Sequence, residues 1–173
     1  MLNLLDMLFT KRFCLPINSN VELYENGTRQ IDSCLCGHYN HISCVLQNKG
    51  VIKSSRVLSV GMNQMGDVAG LKPGIHAEHD AINKLPQLKY KKRLEPINLL
   101  VVRLSGKNKL QSSKPCGNCI NTMKNLPTKK GYKIQNIYYS DKDGHIVKTS
   151  LCNLDNESKH YSSFYRQRQI HTQ

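Results

Sequence analysis

Apolar runs between residues 41 and 151 alternate with polar breaks rich in glycine, proline or asparagine, and the period of each run predicts its element. Cys44-Val45-Leu46-Gln47 and Arg56-Val57-Leu58-Ser59-Val60-Gly61 flank Asn48-Lys49-Gly50, which predicts two strands joined by a turn. In residues 76–85, Ala77, Ala81, Ile82 and Leu85 recur at helical spacing and Pro86 closes the segment. Residues 97–104 are almost continuously apolar, with Val101 and Val102, the pattern of a strand covered on both faces. Residues 63–73 and 106–114 predict loops. Residues 116–126 predict a second helix ended by Pro127 and Gly131, and residues 134–139 and 145–151 predict two further strands. Asp141-Lys142-Asp143-Gly144 is too short for a crossover between parallel strands, so these last two strands are expected to form an antiparallel hairpin.

The ends read differently. Leu2, Leu4, Leu5, Leu8 and Phe9 give residues 1–13 an apolar stripe broken by Asn3 and Asp6, with no basic start and no small-residue cleavage site. That predicts an amphipathic helix docked on the domain and not a signal peptide. Tyr161, Phe164 and Tyr165 fall at i, i+3 and i+4, which predicts a closing helix in the tail from residue 155. The expected organisation is an N-terminal helix and connection over 1–33, a main domain over 34–155, and a helical tail over 156–173.

At 173 residues, with 39% apolar and 21% charged side chains, the chain has the size and composition of one globular domain. No apolar run approaches the roughly 20 residues that span a bilayer, so no membrane partner is expected. Lys and Arg number 25 against 12 acidic residues, a net +13 that attracts anions such as nucleotides or nucleic acid. Lys84, Lys89, Lys91, Lys92 and Arg93 form one basic cluster, and Lys107, Lys109 and Lys114 another. They fit a phosphate backbone with Tyr90 as a stacking platform, a single nucleotide phosphate, or a solvated face. The 7 cysteines, at 14, 34, 36, 44, 116, 119 and 152, lack the even spacing of a disulfide framework, which predicts a reducing, cytoplasmic setting.

The chemistry concentrates in His76-Ala77-Glu78 and Pro115-Cys116-Gly117-Asn118-Cys119, each at the start of a predicted helix. His76, Cys116 and Cys119 are a three-ligand set suited to a catalytic zinc, which keeps its fourth position open. Cys116 and Cys119, at i and i+3, share one helix side, and the positive helix end favours their thiolates. Glu78 supplies a neighbouring carboxylate of the kind proton transfer requires. A structural zinc staple, or two unrelated motifs, would use the ligands without needing Glu78. The soft-ligand cluster from Cys34 to Cys44 is read either as a second metal site or as buried thiols.

His76-Ala77-Glu78 together with Pro115-Cys116-Gly117-Asn118-Cys119 resembles the signature of the cytidine and deoxycytidylate deaminase superfamily, over roughly residues 40–150. The resemblance implies an α/β three-layer fold with a mixed five-stranded sheet, helices on both faces and a homo-oligomer. It implies Zn2+ on His76, Cys116 and Cys119, with Glu78 as proton shuttle. It implies that Asn63, in Val60-Gly61-Met62-Asn63, binds the target sugar, or else caps a turn, and that the Ala77 backbone meets the exocyclic amine. The expected activity is hydrolytic deamination of a cytosine nucleoside or nucleotide, with release of ammonia. Deamination of bases in RNA or single-stranded DNA, and a catalytically silent zinc-binding module, are the alternatives. Thirty-six residues separate Glu78 from Pro115, more than is usual in the superfamily. The hairpin and Gly117 look like free-nucleoside enzymes, whereas Gly61-Met62-Asn63 looks like nucleotide and tRNA enzymes, so substrate size stays open.

Overall fold

The computed structural model describes residues 40–47, 56–64, 66, 74–89, 93–106, 109–157 and 160–161. In chain order the elements are β1 (Asn40–Gln47), β2 (Val57–Met62), α1 (Ala77–Asn83), β3 (Glu95–Leu104), β4 (Leu110–Gln111), α2 (Gly117–Lys129), β5 (Tyr132–Ser140), β6 (Ile146–Thr149) and α3 (Leu151–Asn156). The N-terminal helix expected over 1–13, the polar connection and the turn at 48–50 lie outside the described residues.

The sheet is mixed, in the order β2-β1-β3-β5-β6. Among the described strands, only β3 and β5 run parallel. A parallel pair needs a crossover, and α2 supplies it. Residues 97–102 of β3 are buried throughout because that strand is central and carries side-chain packing on both faces, as its unbroken apolar run requires. The hairpin expected between β5 and β6 forms, with Ile137 opposite Thr149 and Ser140 opposite Ile146. Its turn is held by Asp141 Oδ1, which accepts the amides of Asp143 at 2.9 Å and His145 at 2.8 Å, and by Gly144 at a φ of +83°.

The sheet has six strands where five were expected. The difference lies in the polar stretch after β3, where Leu110-Gln111 folds back onto Arg103-Leu104 as β4. β5 has parted from β3 after Val101, so β4 takes over the edge hydrogen bonds that would otherwise go unmade. The second helix also runs further than expected, through Pro127 to Lys129. Proline removes one bond in the last turn, but its ring is buried, and Gly131, at a φ of +92°, is the residue that turns the chain. At the other end β6 stops at Thr149, because the Ser150 hydroxyl accepts the Asn153 amide at 3.1 Å and starts α3. Helix α3 thus precedes the helix expected in the tail, most of which lies outside the described residues.

Alternation along the strands divides the core in two. Val45, Ile97, Leu99, Val101 and Ile137 face Ala81 and Ile82 of α1, Cys119, Ile120 and Met123 of α2, and Leu154 of α3. Each of these aliphatic side chains contributes about 1.5–3 kcal/mol on full burial. Ile42, Cys44, Leu46, Leu100, Val102, Leu104 and Tyr138 form the opposite cluster. Helices were expected on both faces; among the described residues all three helices serve the first face, and none contributes to the second cluster.

Candidate metal and catalytic site

Both helices that carry the signature begin at the same place. His76 is the N-cap residue of α1 and Cys116 that of α2, each with extended backbone, so the two side chains sit at the helix entrances. The His76 Nδ1 atom lies 3.2 Å from Cys119 Sγ and 3.4 Å from Cys116 Sγ, and the two sulfurs are 3.6 Å apart. Tetrahedral zinc, with bonds of about 2.3 Å to sulfur and about 2.0–2.1 Å to nitrogen, needs ligand-ligand edges of about 3.5–3.8 Å. The triangle needs to open by only a few tenths of an ångström, so the three residues fit that ion. They can hold a metal ion.

Electrostatics agree with the donor set. The Cys116 thiol is held down to about 4, first by its hydrogen bond with Cys119 and then, against burial, by that with His76. The same bond and burial push the Cys119 thiol up. Without a cation the pair therefore shares a proton; a divalent ion is what lets both sulfurs be thiolates. The Cys116 hydrogen bond also raises the His76 pKa.

Glu78 lies in the first turn of α1, buried, with Oε2 lacking a hydrogen-bond partner. Burial raises its carboxyl above the ordinary range, opposed by its backbone hydrogen bond and by His76. A buried carboxylate oxygen without a donor is costly, and the Glu78 carboxyl lies beside His76 and Cys119.

Helix α1 is pressed onto β2 to hold this geometry. Ser59 Oγ donates to the Ala81 carbonyl at 2.7 Å. Asp80 accepts from the Met62 amide at 3.0 Å, Gln64 Nε2 at 3.1 Å and Lys84 Nζ at 2.6 Å. A Cβ on Gly61 would stand 2.2 Å from the Ala81 nitrogen, so only glycine admits the helix this close. Between these contacts Asn63 Oδ1 accepts the Ala77 amide at 2.8 Å. Asn63 is thus a cap for the first turn of α1. The Ala77 amide is thereby taken, and the Ala77 carbonyl faces Gly61 within the buried contact between α1 and β2.

On the other side, the loop into Cys116 is fastened to the sheet. Ser113 Oγ donates to the Val101 carbonyl at 2.8 Å and lies 2.8 Å from Ser140 Oγ, while the Ser113 amide donates to the Ser140 carbonyl at 2.8 Å. Past α3, the Gly117 amide donates to the His160 carbonyl at 2.9 Å, and the Tyr161 ring leaves no room for a Cβ on Gly117. His41, opposite Arg103 on β1 and β3, completes the surroundings, its pKa pushed down to about 4 by burial first and then by the Arg103 and His76 charges. Sequence reasoning missed Asp80, Ser113, Ser140, His41 and His160. Their partners are remote in the chain, and only the position of Ser113, two residues before Pro115, carried a signal.

Two open readings narrow. Cys44 packs in the second cluster, and burial pushes its thiol up to about 12, so it is a core thiol and not a ligand; Cys34 and Cys36 lie outside the described residues. The basic residues after α1 were read as candidates for gripping a substrate phosphate. Of these, the described Lys84, Lys89 and Arg93 follow the C-terminal end of α1, whereas the ligands lie at its N-terminal end. No protein-family model and no curated protein matches the chain.

Proposed function

We propose that this protein is a zinc-dependent hydrolase that deaminates a cytosine nucleoside or nucleotide. The observation that carries the reading is the buried, unpartnered Glu78 Oε2 beside the triangle of His76, Cys116 and Cys119. His76, Cys116 and Cys119 hold the ion, and the chemistry zinc supplies when bound is Lewis acidity that makes water nucleophilic near neutral pH.

Glu78 takes a proton from the attacking water and delivers it to the ring nitrogen of the base. A second transfer through the same carboxyl releases the amine, so one water is consumed, one ammonia leaves and the amine-bearing carbon becomes a carbonyl. The Asn63 side-chain NH2 meets a sugar hydroxyl, held in place because its oxygen is already bonded to Ala77. A structural zinc staple makes no use of the Glu78 carboxyl, which sets the silent module behind this reading.

The antiparallel β5–β6 hairpin favours a free nucleoside or nucleotide, since by the resemblance it is shared with free-nucleoside enzymes. Deamination within RNA or single-stranded DNA is the second reading, favoured by the net +13. A panel of cytidine, deoxycytidine, their monophosphates, adenosine and short oligonucleotides, scored for ammonia, tests the proposal. Ammonia from the cytosine monomers supports it; release only from oligonucleotides transfers it to the second reading.

A further inference from the structure

The end of the domain away from the metal ligands is a cationic surface assembled from three separate stretches of chain. The Leu88 amide donates to the Lys130 carbonyl at 3.1 Å, Gln87 Nε2 to the Lys129 carbonyl at 2.9 Å, and the Glu95 amide to the Gly131 carbonyl at 2.9 Å. These bonds gather Lys89, Arg93, Lys129 and Lys133, all exposed, around the end of α2. Lys130 Nζ donates to the Asn83 carbonyl at 2.9 Å and the Leu85 carbonyl at 2.8 Å, so its charge offsets the negative end of α1. The four outer cations are therefore not needed for that, and among the described residues gathered by these bonds the one acidic side chain is Glu95.

Cys119 and Lys130 are 11 residues apart, so roughly 16 Å of helix separates this surface from the ligand set. A nucleotide seated at the metal cannot reach it. The four cations are all exposed and come from three separate stretches of chain, which suits a chain of phosphates better than one. An anionic membrane would require apolar side chains to insert. Among the described residues the exposed large hydrophobics are Met62 and Ile75, beside Asn63 and His76 at the opposite end.

We propose that Lys89, Arg93, Lys129 and Lys133 form a docking surface for the phosphodiester backbone of a nucleic acid, separate from the metal site. Binding there is electrostatic and indifferent to base sequence. It does not depend on the deaminase reading.

The test is fluorescence anisotropy of the full chain with labelled 20-nucleotide single-stranded RNA, single-stranded DNA and duplex DNA, across a potassium chloride series. The proposal expects binding whose log-log salt slope flattens by about 3 in the variant carrying Lys89→Ser, Arg93→Ser, Lys129→Ser and Lys133→Ser, with affinity down about tenfold or more. Lys142→Ser with Lys148→Ser, at the β5–β6 hairpin, should leave the slope in place. So should Lys89→Arg with Lys129→Arg and Lys133→Arg, which keeps the charge and guards against a folding defect. The preferred strand identifies the nucleic acid. An unchanged slope in the fourfold serine variant, absence of oligonucleotide binding, or tighter binding to phosphatidylserine vesicles than to every oligonucleotide would overturn the proposal.

Discussion

The Asn63 side-chain oxygen accepts the amide proton of Ala77 at 2.8 Å, which fixes the loop after β2 to the first turn of the helix carrying Glu78. Asn63 thereby serves the fold with one end of its amide, and in the proposed reaction the other end meets the sugar. Asn63→Ala should lower stability by about 0.5–2 kcal/mol, the cost of a lost helix cap, and also raise KM. Asn63→Asp keeps the acceptor and loses the donor, so its Tm should stay near that of the parent while KM rises. Thermal melts and steady-state kinetics on the two variants separate the roles.

Gly61→Ala places a methyl 2.2 Å from the Ala81 nitrogen and 2.3 Å from the Ala77 oxygen, both backbone atoms that cannot turn aside. The helix must move off the strand. A destabilisation of about 1–3 kcal/mol is expected, together with a loss of turnover larger than the unfolded fraction explains, because Glu78 moves with α1. Denaturant titration alongside activity per folded molecule checks both.

Cys116→Ser and Cys119→Ser should each reduce bound zinc from one per chain to near zero, since each removes one of three ligands. Chelation of the parent protein should lower its Tm, as loss of any ligand that binds only the folded state does. Metal analysis and melting curves give the answer; two zinc ions per chain would point to further ligands, either in the segment before β1 or at Asp141, Asp143 and His145.

His41 has a folded-state pKa of about 4, below its ordinary 6.5, chiefly through burial. Between those values the unfolded chain binds a proton that the native state does not. Stability from this residue is therefore complete above about pH 6.5 and declines as the pH falls towards 4. His41→Gln should flatten the fall of Tm across that window relative to the parent protein.

Strand and helix periods were legible where burial repeats along the chain. The unbroken run of β3, the helical spacing of Ala77, Ala81 and Ile82, and the short link after β5 each identified its element. β4 was not legible, because its two residues pair only to fill an edge that β5 leaves vacant. Pro127 was misleading as a stop signal, since burial of its ring offsets one lost hydrogen bond in a final turn. Spacing grouped Cys116 with Cys119, residue type and the family resemblance added His76, and the structure brings their donor atoms together. Asp80 and Ser113 could not be found that way: a buried polar side chain is selected by partners 12 to 27 positions distant, and no local pattern records them.

The most direct measurement is ammonia release from cytidine and cytidine monophosphate by the parent protein and Glu78→Gln, with zinc quantified in both samples. Equal zinc, turnover in the parent and a loss of about 10²–10⁴-fold or more in the variant are expected, because the substitution removes proton transfer and keeps all three ligands. Zinc-replete parent protein that releases no ammonia, or a Glu78→Gln variant that turns over at the parent's rate, would contradict the account.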